Sequence, residues 1–223
     1  MGLVLGIVGL PNVGKSTLFR ALTRVEAEAA NYPFCTIEPN VGIVPVQDER
    51  LQKLNELIKP EKCVPATLKV VDIAGLVKGA SEGEGLGNQF LSHIREVQAI
   101  AHVVRCFEDE NIAHVTGKPS ALDDLEIVET ELILADLSQL ERKLERLSKQ
   151  MKGKSAKGSS PDANETAVFQ KMHDHLASGK MASSLELSEE EEKTLQELQL
   201  LTAKPFFYVA NLCLLYTSDA ADD

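Results

Sequence analysis

The sequence predicts an α/β protein in which a mostly parallel sheet is interrupted by an inserted antiparallel α-helical hairpin. Three observations support this fold class. Apolar runs suited to buried strands alternate with helical segments up to Cys106, as in doubly wound sheets. A glycine-rich turn, residues 9–16, joins the first strand to the first helix. From Asp123 onward, the apolar spacing changes to that of a long helix.

The strands and helices of the α/β part are placed by apolar runs and by residues that start or stop helices. Leu3 to Val8 has the apolar character of a strand buried on both faces. Pro45 favours an edge position for strand 41–46, because proline cannot donate a ladder hydrogen bond. Asp48 is a candidate N-cap for the helix that Pro60 ends. The other predicted elements are helices 15–24 and 88–98 and strands 66–73, 100–106 and 206–210.

The predicted hairpin occupies residues 123–203. Its first helix carries apolar residues separated alternately by four and three positions, which are Ile133, Leu137, Leu140, Leu144, Leu147 and Met151. Residues 152–163 are rich in Gly, Ser, Lys and Pro and predict a flexible turn. The apolar residues of the returning helix are Val168, Met172 and Leu176. Ser188 and Glu191 have the spacing of a capping box at the start of another helix.

Composition excludes several classes of protein. The chain has 223 residues, 43% of them hydrophobic, and a net charge of −11, which is ordinary for a folded globular protein. No apolar run approaches the roughly 20 residues that cross a bilayer, and the N-terminus lacks the basic region of a secretion signal. Its four cysteines are widely spaced, which argues against a disulfide scaffold or zinc knuckle. We therefore expect a reducing, cytoplasmic location.

Residues Gly9 to Ser16 fit the phosphate-binding pattern G-x-x-x-x-G-K-[ST] between a predicted strand and a predicted helix. The glycines let the backbone turn and direct its N–H groups at one point, where the helix N-terminus adds partial positive charge. Lys15 would reach the β- and γ-phosphates, and the Ser16 hydroxyl would ligate Mg²⁺. A GTPase-like P-loop NTPase fold is therefore expected. Its predicted nucleotide-binding residues are Asn12, Val13, Gly14, Lys15, Ser16 and Thr17.

Asp72 and Gly75 match the D-x-x-G element of nucleotide switches and end a predicted buried strand. Asp72 would hold Mg²⁺ through water, and the Gly75 N–H would contact the γ-phosphate. We count both among the candidate catalytic residues. Thr36 is a candidate Mg²⁺ ligand that would close on the γ-phosphate, although a loop threonine commonly only faces solvent. These residues favour a switch over another P-loop enzyme, such as a small-molecule kinase.

Four segments closely resemble the Obg-like ATPases, the YchF family. They are residues 9–17, 31–40, 72–91 and 104–109, and the resemblance runs from residue 1 to about residue 211. It implies a P-loop enzyme related to translation factors, which prefers ATP, uses Mg²⁺ and binds the ribosome. It also implies that Ser16 and Thr36 ligate Mg²⁺.

The resemblance divides the sequence into domains. Residues 1–122 would be the first part of an OBG-type nucleotide-binding domain, 123–203 the helical hairpin and 204–211 a return strand of that domain. Residues 212–223 depart from the family. We expect them to be a non-family tail, with the rest of the nucleotide-binding domain and a C-terminal TGS domain missing.

The choice of base stays open. The family carries an Asn-x-x-Glu element in place of the guanine-reading Asn-Lys-x-Asp motif, and Asn211 occupies its first position. Leu214 stands where the glutamate belongs. The alternatives to an ATPase are therefore an Obg-class GTPase and a catalytically impaired fragment that only binds nucleotide or partners.

The residue that positions the attacking water is not evident from the switch motif. Leu76 stands where Ras-like enzymes place a glutamine, and leucine has no polar group for that task. Our candidates are backbone groups of the loop 79–87, a K⁺ ion near Asn12, and His114. His114 is the one histidine in a predicted mobile segment of the α/β part, although loop histidines are often plain surface. Hydrolysis without a partner is expected to be slow.

Residues 142–158 contain seven basic side chains and one acidic one, a local charge of +6. This cluster is either a solvated helix face or a contact for ribosomal RNA phosphates, whose affinity would fall steeply with salt. We expect the large ribosomal subunit as the partner, and neither a membrane nor DNA. The basic residues are Arg142, Lys143, Arg146, Lys149, Lys152, Lys154 and Lys157.

Overall fold

The computed structural model describes residues 2–23, 40–73, 86–109, 111–115, 117, 120–153 and 161–212. Five strands lie within these ranges: β1 Leu3–Val8, β2 Asn40–Pro45, β3 Thr67–Asp72, β4 Ala99–Arg105 and β5 Phe206–Asn211. The α-helices there are α1 Lys15–Thr23, α2 Glu49–Ile58, α3 Leu86–Glu96, α4 Ala121–Gly153, α5 Pro161–Ala177 and α6 Glu189–Gln196.

The chain forms two compact units. The first unit draws on Met1–Gly75, Val97–Pro119 and Phe206–Asp223, and it contains all five of these strands. The second unit draws on Leu76–Glu96 and Ser120–Pro205, and it contains α3 to α6. The domain boundaries placed at residues 122, 203 and 211 stay predictions.

The sheet has the strand order β2-β3-β1-β4-β5. β1 pairs in parallel with β3 and β4, β4 pairs in parallel with β5, and β2 alone among these strands is antiparallel. The mostly parallel sheet is therefore confirmed. Pro45 lies at the end of β2, an outer strand of the sheet as predicted. This position costs little, because one side of an edge strand needs no ladder bond.

The central strands carry the core of the first unit. Ile7 and Val8 of β1 are fully buried, and β4 is buried from Ile100 to Arg105. A Cβ atom at Gly6 would lie 2.9 Å from the end of the Ile73 side chain and 3.0 Å from Val97, so glycine permits close packing there. Such strands, covered on both faces, explain the continuous apolar runs of the sequence.

Helix α2 follows its predicted caps. The carboxylate of Asp48 accepts a hydrogen bond from the Arg50 N–H at 2.9 Å, which caps the helix. At the other end, Lys59 takes a left-handed conformation and donates to the Asn55 carbonyl at 2.9 Å, one residue before Pro60. None of the residues of α2 is buried, so local capping determines its ends without help from core packing.

The second unit contains the predicted hairpin. Glu141 lies 3.7 Å from His173, and Lys143 lies 3.1 Å from Glu165, so α4 and α5 run antiparallel. The seam residues of α4 pack with residues of α5, which confirms the heptad prediction for the described side chains. The two helices share one hydrophobic cluster, whose buried residues on α4 and α5 are Ile133, Leu140, Leu147, Phe169, Met172 and Leu176.

The predicted turn at 152–163 is too long at both ends. Helix α4 continues to Gly153, and α5 already begins at Pro161. Proline suits the first helical position, because its fixed φ is helical and its missing N–H would be unpaired there anyway. The composition of 152–163 therefore overstated the loop.

Helix α6 begins with the predicted capping box. Glu191 donates its N–H to Ser188 Oγ at 3.3 Å, and Ser188 donates its own N–H to Glu191 Oε2 at 2.8 Å. The segment after α6 is held by Asp136 of α4. Its buried carboxylate accepts from the N–H groups of Leu201 and Thr202 and from the Thr202 hydroxyl, at 2.9, 2.9 and 2.7 Å.

No helix within the described ranges is long and apolar enough to cross a membrane.

Candidate nucleotide-binding site

The phosphate loop lies between β1 and α1, at the carboxyl end of a central parallel strand. Three of its residues have positive φ: Gly9 at 149°, Asn12 at 62° and Gly14 at 101°. Asparagine tolerates this region better than most side chains, and glycine pays no penalty there. A Cβ atom at Gly14 would also collide with the amide nitrogen of Asn211. The backbone conformation thus explains why glycine occupies both positions of the sequence motif.

Lys15 begins α1 and is buried, with its residue 7% exposed. Its ammonium donates to the Leu10 carbonyl at 2.7 Å, inside the phosphate loop. Burial lowers the pKa of Lys15 to about 8, and the nearby Asp72 carboxylate partly opposes this shift. A buried ammonium held by one carbonyl gains from an incoming anion.

Ser16 of α1 and Asp72 of β3 are in contact next to the phosphate loop. The Ser16 hydroxyl donates to Asp72 Oδ2 at 2.9 Å. Asp72 ends β3, and Ile73 continues the pairing by donating its N–H to the Ile7 carbonyl at 3.1 Å. Burial raises the pKa of Asp72, and the hydrogen bond from Ser16, the charge of Lys15 and a hydrogen bond with Asn40 offset only part of this rise. A hydroxyl and a carboxylate side by side form the oxygen-rich set that Mg²⁺ prefers.

This pair fits a magnesium ion that completes its shell with phosphate oxygens and water. Within the ranges that the structure describes, no group of three or more His, Cys, Asp or Glu could hold a metal alone. Mg²⁺ sites in nucleotide-binding proteins characteristically use one or two protein oxygens together with substrate phosphates. Ser16 could supply such an oxygen directly, and Asp72 could hold the ion through a water molecule.

Asn12 joins the phosphate loop to the segment after β4. We call this segment the post-β4 loop, residues 106–109 and 111–115. The Asn12 amide donates to the Ala113 carbonyl at 3.1 Å. His114, the next residue, is half-buried, and its carbonyl accepts from the Gly117 N–H at 3.2 Å. The structure therefore brings the backbone next to His114 to the phosphate loop.

Asn211 stands at the end of β5 and contacts the phosphate loop. Its side-chain amide donates to the Val13 carbonyl at 2.9 Å, and its own carbonyl accepts from the Cys106 N–H at 2.9 Å. The Asn-x-x-Glu pattern predicts that Asn211 contacts the base. The described contact is with the loop backbone, and a contact with the base stays a prediction.

Two buried charged or titratable residues of β4 were missed by sequence analysis. Arg105 is 1% exposed and donates to three carbonyls of the post-β4 loop. His102 is also 1% exposed, and burial together with the charge of Lys15 lowers its pKa to about 4. Their position inside an apolar strand was the signal that could have indicated burial. Arginine is usually exposed and histidine only partly buried, so residue type alone predicts the opposite.

The remaining predicted site residues divide into two groups. Thr17 lies in the first turn of α1, with an exposed side chain. Thr36, Gly75, Leu76 and Leu214 lie outside the described residues.

The site and fold together define a P-loop nucleotide-binding protein. A glycine-bounded loop follows a parallel strand, a buried lysine and a serine begin the next helix, and an aspartate from the neighbouring strand bonds that serine. The model of the family described as "50S ribosome-binding GTPase" matches residues 4–153. The chain belongs to this family.

Individual relatives confirm the resemblance to YchF proteins. The chain is 56% identical over 212 residues to "Ribosome-binding ATPase YchF" of Bacillus subtilis (strain 168), covering 95% of this chain and 57% of the relative. It is also 56% identical over 213 residues to the protein of that name from Escherichia coli O157:H7, with the same shares. The chain thus spans 57% of the length of these curated relatives.

A solved structure confirms the fold class. The chain superposes on the "Schizosaccharomyces pombe YchF GTPase" with a TM-score of 0.78 and 42% sequence identity, covering 98% of this chain and 59% of that one. The names of the relatives disagree on the base, since one set is called ATPases and this one a GTPase.

Proposed function

We propose that this chain is an Mg²⁺-dependent ATPase switch that binds the ribosome in the cytoplasm. The observation that carries the proposal is the Ser16–Asp72 hydrogen bond of 2.9 Å beside the buried Lys15 ammonium. It places the P-loop serine beside the switch aspartate, and a serine and an aspartate hold Mg²⁺ in P-loop NTPases. The names of the bacterial relatives support ATP and the ribosome.

Lys15 would exchange its backbone partner for phosphate. Its ammonium now bonds the Leu10 carbonyl, a neutral acceptor, at 2.7 Å. A phosphate oxygen is negatively charged, so it adds a charge–charge attraction to the ammonium that the carbonyl cannot supply. Triphosphate binding would therefore keep Lys15 protonated despite its lowered pKa.

Ser16, Asp72 and Thr36 are the proposed residues around magnesium. Ser16 would give its hydroxyl oxygen directly, Asp72 would act through water, and Thr36 would add a second hydroxyl. When bound, Mg²⁺ would neutralise charge on the β- and γ-phosphate oxygens. Gly75 would donate its N–H to the γ-phosphate.

His114 is the proposed group that orients the attacking water. The hydrogen bond from Asn12 to Ala113 supports this role, because it holds the neighbouring backbone against the phosphate loop. Backbone groups of the loop 79–87 or a K⁺ ion near Asn12 are the alternatives. Replacement of His114 by alanine should sharply reduce turnover and leave nucleotide affinity intact, whereas unchanged turnover would discard the role.

The proposed ribosomal contact lies on one face of α4. Arg142, Arg146 and Lys149 are exposed and share that face, since they are four and three residues apart. Lys143 does not belong to it, because it is half-buried and bonds Glu197 at 2.6 Å and Glu165 at 3.1 Å. Lys149 pairs with Glu145 at 2.8 Å, but both side chains are exposed, and such surface pairs are weak. The local charge available to RNA phosphates is therefore smaller than the sequence count. We propose ribosomal RNA of the large subunit as the partner.

Calorimetry of nucleotide binding tests the proposal. ATP with Mg²⁺ should bind the chain with measurable heat, and Lys15→Ala should abolish this heat or weaken affinity at least tenfold, about 1.4 kcal/mol. Competition between ATP and GTP would distinguish an ATPase from an Obg-class GTPase. No heat at millimolar nucleotide, with Lys15→Ala identical to the parent, would refute nucleotide binding. Heat without turnover would favour the catalytically impaired fragment.

A further inference from the structure

Arg105 organises the segment that carries His114. It is the last residue of β4, and its guanidinium donates Nε to the Phe107 carbonyl at 3.0 Å, Nη1 to that of Ile112 at 3.1 Å and Nη2 to that of Asp109 at 3.0 Å. The guanidinium carbon also lies 4.8 Å from the centre of the Phe107 ring. One buried side chain thus contacts the post-β4 loop at three positions.

The chemistry of this arrangement is specific to arginine. A buried positive charge is costly unless hydrogen bonds satisfy it, and here three backbone carbonyls do so. A guanidinium presents its N–H groups in a fixed planar fork, whereas an ammonium is a compact charge that cannot reach three divergent acceptors in the same way. The positions of the three carbonyls, and with them the path of the loop, follow from the fork.

Hydrogen bonds link the post-β4 loop to the phosphate loop both directly and through Asn211 of β5. Ala113, next after Ile112, accepts from the Asn12 amide at 3.1 Å. Val13 accepts from the Asn211 amide, and Asn211 accepts from the N–H of Cys106, the residue after Arg105. The strand ends of β4 and β5 and the two loops thereby support one another.

We propose that Arg105 is a positioning residue for nucleotide hydrolysis. It holds the post-β4 loop so that Ala113 meets Asn12 and the adjacent His114 is kept at the phosphate loop. The inference rests on the proposed function, because His114 is the group that would act on the attacking water. Arg105 itself contacts neither nucleotide nor water in this role.

A double-mutant cycle on the full chain tests the inference. The variants are Arg105→Met, Arg105→Lys, His114→Ala and the combination of Arg105→Met with His114→Ala. Arg50→Met is the matched control, since Arg50 is exposed and pairs with Asp48, two residues away. The measurements are the kcat for ATP, the Kd for a fluorescent ATP analogue, and hydrogen exchange of the amides in 106–115.

Arg105→Met should lower kcat about 10- to 100-fold, because a small misplacement of a catalytic group has this effect. The Kd should stay within about threefold, since the loss concerns only the transition state. Arg105→Lys should lower kcat as well, since the ammonium cannot replace the guanidinium fork. In the His114→Ala background, Arg105→Met should cause no further loss of kcat, and exchange in 106–115 should rise in both Arg105 variants but not in Arg50→Met.

An unchanged kcat in Arg105→Met, or losses that multiply with His114→Ala, would overturn the inference. So would a fall in kcat that Arg105→Lys fully restores. If the parent chain shows no ATP turnover, the proposed ATPase function fails separately. The exchange measurement then decides the role of Arg105 alone: unaltered exchange in 106–115 overturns the positioning of the loop, and faster exchange supports it.

Discussion

Replacement of Gly14 by alanine tests how the phosphate loop is held by the last strand. Gly14 has a φ of 101°, and a Cβ atom there would collide with the side-chain amide of Asn211. That amide bonds the Val13 carbonyl at 2.9 Å. The substitution therefore imposes a backbone penalty and also displaces Asn211 from its partner.

The two contributions can be given magnitudes. A non-glycine residue in the left-handed region costs about 1–2 kcal/mol, and loss of one hydrogen bond costs about 1 kcal/mol. Gly14→Ala should therefore lower the free energy of unfolding by about 2–3 kcal/mol. With Asn211→Ala already present, neither the collision nor the bond remains, and Gly14→Ala should cost only about 1–2 kcal/mol.

Urea unfolding of the single and double variants measures this coupling, and a loss of 2–3 kcal/mol would lower the midpoint by about 1 M. Gly117→Ala is the matched control. Gly117 has a φ of 86°, and a Cβ atom there meets nothing within 4 Å, so it isolates the backbone penalty. If Gly14→Ala costs no more than Gly117→Ala, or if Asn211→Ala does not reduce its cost, the steric argument is wrong.

Three further perturbations have defined outcomes. Asp136→Ala should destabilise the chain by about 3–5 kcal/mol in urea unfolding, because it leaves three donors without their buried acceptor, and Asp136→Asn should cost less. The pKa of His102 is lowered to about 4 in the folded chain, so as the pH falls this histidine is protonated in the unfolded chain before it is protonated in the folded one. Stability should therefore fall by up to about 3 kcal/mol as the pH drops from about 6.5 to about 4. His102→Phe should lose this part of the pH dependence, and an unchanged pH curve would contradict the assignment to His102. Burial raises the pKa of Asp136, so Asp136 changes the free energy of unfolding in the opposite direction as the pH falls. Reversing the charges of Arg142, Arg146 and Lys149 should weaken ribosome co-sedimentation and flatten its salt dependence, and unaltered co-sedimentation at low salt would remove this face from the interface.

Local patterns in the sequence predicted most of the secondary structure. Caps such as Asp48 and Ser188 act over a few residues, so their pairing could be predicted from spacing alone. The heptad of α4 identified its own buried face for the same reason. The turn 152–163 was overestimated, because composition does not reveal that Pro161 starts a helix rather than interrupting one.

The candidate site was predictable only in part. The phosphate loop is a continuous segment whose glycines, lysine and serine act through the local backbone, and its placement after β1 is confirmed. Lys143 shows the opposite case. Its position in the basic cluster 142–158 predicts an exposed charge, but the fold brings Glu165 and Glu197 to it from later in the chain.

The order of residues along this chain was sufficient to determine a P-loop, an α/β sheet and a helical hairpin, because each depends on neighbours within one or two turns or on a short repeat. The motifs already placed Ser16 and Asp72 at one magnesium site, but tertiary structure alone decided which atoms of distant residues are in direct contact. Ser16 bonds Asp72 from 56 residues away, Asn211 reaches the phosphate loop from 198 residues away, and Asp136 accepts from Leu201 65 residues on. Hydrogen bonds act only over about 3 Å, so such contacts exist only once the strands and helices have packed.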